Sequence, residues 1–119
     1  MWTYHQSSGS LTRLGEQIAT GYSGRDPYKN DPKAETRKAE GPIPRGRWSI
    51  VRKYDSKRVG PYALELRPVG HDAHGRSAFL IHGDSIRAPG TASSGCIILA
   101  KPVRQRIWTS GDRELEVVE

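Results

Sequence analysis

Cysteine, phenylalanine and methionine each occur once in these 119 residues. A single thiol excludes an intrachain disulfide and a cysteine-rich zinc site, and leaves the redox compartment open. Apolar residues make up only 34% of the chain, enough for one small core. No apolar run approaches the roughly 20 residues that cross a bilayer. The opening MWTYHQSSGSLTR has no basic start followed by an apolar block, so no secretory signal is expected. Repeats and low-complexity tracts are absent. The four histidines show no metal-ligand spacing beyond the weak HDAH at 71–74, so neither metal nor cofactor is expected.

Turn-forming residues are plentiful. Thirteen glycines and eight prolines disfavour long helices and predict short strands joined by turns. The length suits a single domain over residues 1–119. A formal charge of +6 arises from 19 basic and 13 acidic residues interspersed along the chain. That mixture reads as a solvated surface rather than a dedicated nucleic-acid face, and the excess would favour anionic surroundings.

Along the chain, residues 2–22 read as a hairpin or meander around the turn SSGS, and 23–41 as a long polar surface loop with two Asp-Pro steps. GPIPRG is a rigid entry, and RWSIVRKY and YALELRPVG alternate as half-buried strands, the second with Tyr62, Leu64 and Leu66 on one face. HDAHGRS is a turn, SAFLIHGD a strand ending at His82, and GCIILA a short apolar strand. Pro102 suits a helix's first turn, so KPVRQRIWTSG predicts one short helix with Val103 and Ile107 inward and Gly111 stopping it. ELEVVE closes as a strand. The fold class is mostly β and mostly antiparallel.

The lone thiol sits in SSGCIIL, downstream of AFLIHGD. Taken singly, Cys96 reads first as core and His82 as a satisfied strand-end histidine. His5, His71 and His74 read as surface or turn residues. If the two strand-like segments are neighbours, His82 can take the thiol proton and return it to a leaving group. Gly95 removes bulk beside the sulfur, and the N–H groups of Gly95 and Cys96 are candidate oxyanion donors. The Gly83 carbonyl, or else Asp84, is the candidate orienter of the imidazole.

The ordered pair of motifs, GPIPRGRW and then IHGD…SSGCI, resembles the L,D-transpeptidase catalytic domain, the YkuD-like fold. The shorter pattern HGD…PGTASSGCI, with the opening WTYHQSSGSLTR and GYSG, is similar to the L,D-transpeptidase effectors of type VI secretion. The resemblance implies a small antiparallel β-sandwich or barrel-like domain with one short helix after the cysteine. It makes Cys96 the nucleophile, His82 the base and Gly83 the carbonyl orienter, with Ser93, Ser94, Asp84 and Gly95 around substrate and oxyanion. Ser94 stands where most of these enzymes have a histidine, and Ile98 where many have arginine or asparagine.

The implied substrate is the peptidoglycan tetrapeptide stem, from which the terminal D-alanine is removed or exchanged. The implied setting is a monomer made in the bacterial cytoplasm, delivered to a rival's periplasm and countered by a cognate immunity protein. The remaining alternatives are another cysteine peptidoglycan hydrolase and a non-enzymatic basic binding module. Papain-like enzymes place cysteine before histidine, the reverse of the order here.

Overall fold

Nine strands and one helix make up the computed structural model, which describes residues 1–119. Strands β1 (Trp2–His5), β2 (Ser10–Arg13) and β3 (Glu16–Thr20) form the expected antiparallel meander. After β4 (Tyr22–Ser23) and the long loop come the paired strands β5 (Gly46–Ser56) and β6 (Gly60–Val69). Then follow β7 (Phe79–His82), β8 (Ile97–Ile98), α1 (Lys101–Thr109) and β9 (Glu114–Val118). Pro102 lies in the first turn of α1, and Gly111 takes φ +77° just beyond it.

All nine strands belong to one sheet, in the order β3-β2-β1-β9-β5-β6-β7-β8-β4. Its two end strands are joined through Gly21 alone, so the sheet has to roll until its edges nearly meet. At that seam backbones touch: Gly21 donates to the Gly9 carbonyl at 2.8 Å. A Cβ on Gly9 would overlap the Gly21 carbonyl, and one on Gly21 would overlap the Ile98 carbonyl. Glycine is the residue that permits such approach.

Alternation decides which side chains fill the roll. Trp2 and Tyr4 of β1, Trp48 and Ile50 of β5, Leu64 and Leu66 of β6, and Leu115 and Val117 of β9 are buried in one cluster. In β7 all four residues are buried. Ile107 enters the core from α1 as its position predicts, whereas Val103 is only partly buried. Arg104 joins them on that inner face, donating to the carbonyls of Tyr62 (2.9 Å), Leu99 (2.5 Å) and Pro61 (3.2 Å).

The pairings β1–β9 and β7–β8 are parallel, and the rest are antiparallel. Parallel neighbours need a long crossover, here the connection from Gly83 to Cys96. The 23–41 stretch departs from a plain surface loop. It contains a 3-10 turn at Pro32–Ala34, and Glu35 behind it is buried.

Candidate active site

The apolar strand β7 delivers His82 to its C-terminal end with only 3% of the residue exposed. Its Nδ1 lies 2.8 Å from the Gly83 carbonyl oxygen. A carbonyl can only accept, so Nδ1 carries the proton and Nε2 keeps its lone pair. Burial lowers the histidine pKa below its ordinary value, and the charges of Arg104 and Arg58 add to this against the opposing pull of Gly83. The ring is therefore neutral at pH 7, with its acceptor nitrogen free.

Parallel pairing sets His82 opposite Ile98. Continuing that register places Cys96 beside Leu80, on the sheet face that also carries His82. The thiol and the imidazole line one cavity of about 420 Å³, together with Ser94, Gly95, Phe79 and Arg76. The sulfur's hydrogen bond goes to the Ala78 carbonyl at 3.8 Å rather than to the ring. Burial pushes the thiol pKa up, partly offset by the Leu80 N–H and the charges of Arg58 and Arg76. Cysteine and histidine thus rest as a neutral pair. Such a pair forms thiolate by proton transfer during attack instead of storing it beforehand.

The turn before the cysteine is held from behind. Ser93 Oγ donates to the Cys96 carbonyl (2.6 Å) and accepts from the N–H groups of Gly95 (3.1 Å) and Gly24 (2.9 Å). Ser23 Oγ donates to the Gly95 carbonyl (3.0 Å) and accepts from Ile43 N–H (2.8 Å). Beneath them Arg76 donates to the carbonyls of Glu35 (2.6 Å), Pro42 (2.8 Å), Gly41 (2.9 Å) and Ser94 (3.2 Å). Its guanidinium also lies over the Phe79 ring at 5.1 Å.

Three sequence expectations change in this setting. Gly95 has φ +145°, and a Cβ there would come within 2.5 Å of the Arg76 guanidinium. Its bareness makes room for Arg76, not for substrate. With its N–H bonded to Ser93 and Ser93 buried, neither group is available to an oxyanion. Asp84 lies outside the cavity lining. Its carboxylate accepts from the Tyr22 hydroxyl (2.6 Å), Ser85 N–H (2.8 Å) and Gly90 N–H (3.0 Å), building the 84–90 loop while Gly83 holds the ring. Ser94 does line the cavity, exposed.

Sequence reasoning missed Arg76, Arg58, Lys38, Ser23 and Glu35. Glu35 accepts from Gln6 (2.9 Å) and from the N–H (3.2 Å) and Nε (2.9 Å) of Arg45, and it meets His74 Nε2 at 2.9 Å. Burial raises its pKa, but the hydrogen bonds from Gln6, His74 and Arg45 outweigh this and hold it down to about 2. The charged side chains lining the cavity shared by Cys96 and His82 are Lys38, Arg58 and Arg76, all basic. No local motif announced them.

Comparison with known proteins adds an independent line. A family model described as the Tlde1 domain matches residues 17–118. An L,D-transpeptidase (Yku) from Stackebrandtia nassauensis shares the fold, with a TM-score of 0.59 at 16% identity over 99% of this chain. This chain spans about half of that protein, 54% of its length. No curated protein matches the sequence.

Proposed function

The chain belongs to the Tlde1-domain family, the type VI secretion L,D-transpeptidase effectors, and from that premise we propose a cysteine acyl transferase acting on peptidoglycan tetrapeptide stems. The observation that carries the proposal is the shared cavity: a thiol and a neutral, carbonyl-oriented imidazole open into it from adjoining segments of one sheet.

In the first step His82 Nε2 takes the thiol proton while Sγ attacks the carbonyl carbon of the third stem residue. The C–S bond forms and the carbonyl oxygen becomes an oxyanion. Its donor is the Cys96 N–H, which no acceptor within the chain takes up. The C–N bond then breaks, Nε2–H passes its proton to the departing D-alanine amine, and a thioester remains. Water or an amine, deprotonated by His82, attacks that thioester and releases Sγ, which regains the proton. Water gives L,D-carboxypeptidase activity, a D-amino acid gives exchange, and a second stem gives a 3–3 crosslink. General acid–base help of this kind contributes about 10²- to 10⁴-fold.

The substrate is met in the periplasm of a target cell after delivery, and a cognate immunity protein guards the producer. The basic lining suits an anionic wall polymer.

The test is incubation with disaccharide tetrapeptide and measurement of released D-alanine. Cys96→Ala is expected to abolish product while leaving the melting curve intact. Unchanged release by that variant would overturn the proposal.

A further inference from the structure

The cavity that the thiol lines adjoins a second of about 450 Å³, which Cys96 does not reach, and the two share Arg58, Arg76 and the 77–79 segment. Ala78, whose carbonyl takes the sulfur's hydrogen bond, belongs to this common wall. The two shared arginines differ sharply. Arg76 gives its guanidinium to four backbone carbonyls. The Arg58 guanidinium has neither a hydrogen bond nor an acidic partner; only its backbone N–H is engaged, with Ser56 Oγ at 3.1 Å. Ser56 also binds the Val59 N–H (3.1 Å), so the turn that carries Arg58 is fixed. The one carboxylate in the second cavity, Glu65, is already paired with Arg52 (2.8 Å) and Arg67 (3.1 Å).

Resting on the acyl-transfer reading above, we propose that Arg58 receives the free carboxylate of the departing D-residue, so that this protein reads the end of a stem rather than its middle. A guanidinium presents a planar fork of donors that matches a carboxylate in two parallel bonds, and here the whole fork is unclaimed.

Position supports the same assignment. The departing amine has to lie between Sγ, which displaces it, and Nε2, which protonates it. In a C-terminal residue the carboxylate is attached one carbon from that amine, so its carbon is within about 4 Å of the scissile carbon. The receptor must therefore stand close to both catalytic groups, and the Arg58 charge acts on the thiol and on the imidazole alike. Neutralising Arg58 with a carboxylate removes a charge that opposes imidazolium and also one that favours thiolate, so its part is recognition rather than activation of the pair.

The experiment compares disaccharide tetrapeptide with its C-terminal amide, using the full chain and Arg58→Gln, Arg58→Lys and Arg106→Gln. Arg106 is an exposed residue of α1 outside both cavities and controls for net charge. The wild type is expected to prefer the acid by about 10- to 100-fold in kcat/KM, the range for hydrogen bonds to a charged group. Arg58→Gln should lose that preference by slowing on the acid alone, Arg58→Lys should retain part of it, and Arg106→Gln should keep it. An acid preference that survives Arg58→Gln overturns the assignment, as does an equal loss on acid and amide. A wild type that turns over neither substrate overturns the acyl-transfer reading and this inference with it.

Discussion

The floor and the mouth of the cavity are built on opposite terms. On the floor, the buried side chains of Arg76, Ser23 and Ser93 donate or accept at nearly every polar atom. At the mouth, Arg58, Lys38 and Ser94 are exposed, and no side-chain hydrogen bond or ion pair holds them. Arg58 and Arg76 line the same space with the same chemistry, yet only Arg58 has both terminal nitrogens left for a ligand. Residue type and proximity to the thiol do not separate scaffold from recognition here. Hydrogen-bond saturation does, because a buried donor that has its acceptors gains nothing from substrate, whereas an unclaimed fork does.

The most severe test of that contrast is truncation of both arginines. Arg76→Ala leaves four carbonyls without their donor and is expected to cost on the order of 4 kcal/mol in urea unfolding. Arg58→Ala should change stability by less than about 0.5 kcal/mol. Comparable losses from the two would erase the distinction. Next in size is Ser93→Ala, which strands the N–H groups of Gly24 and Gly95 for about 2 kcal/mol. It should reduce turnover through misplacement of Cys96. Ser94→Ala, one residue on, should unfold like the wild type.

Acid conditions separate floor from mouth more gently. Glu35 has a folded pKa near 2 against an ordinary 4.5, so its stabilisation is complete above about 4.5. It is lost as pH falls from there toward 2. Glu35→Gln should flatten the stability profile in that window, seen as a smaller drop in melting temperature between pH 5 and 3. The Cys96–His82 pair titrates elsewhere. With His82 lowered and Cys96 raised from their ordinary values of 6.5 and 9.0, kcat/KM should hold level through neutrality. It should fall only once the pH drops below the usual histidine range.

The elements whose signals are local were readable in advance. FLIH is apolar throughout and stops at a histidine, Pro102 opens a helix, Gly111 closes it, and alternation places Leu64 and Leu66 inward. The floor was not readable in this way. Arg76 meets carbonyls 18 to 41 positions away, and Glu35 meets Gln6 across 29 positions. In the sequence, 23–41 is polar and proline-broken like any exposed loop, and burial of its carboxylate depends on partners from three other segments. The bare Gly95 invited a functional explanation because the arginine packed against it is invisible until the chain is folded.

The seam at Gly21 sets where this molecule can tolerate change. Since the rolled sheet shuts through one residue, there is no slack to absorb a methyl group, and any side chain at that point drives the Ile98 carbonyl outward. The push reaches Cys96 two positions along. Drift is therefore tightly constrained at a residue that has no reactive atom of its own and lines neither cavity.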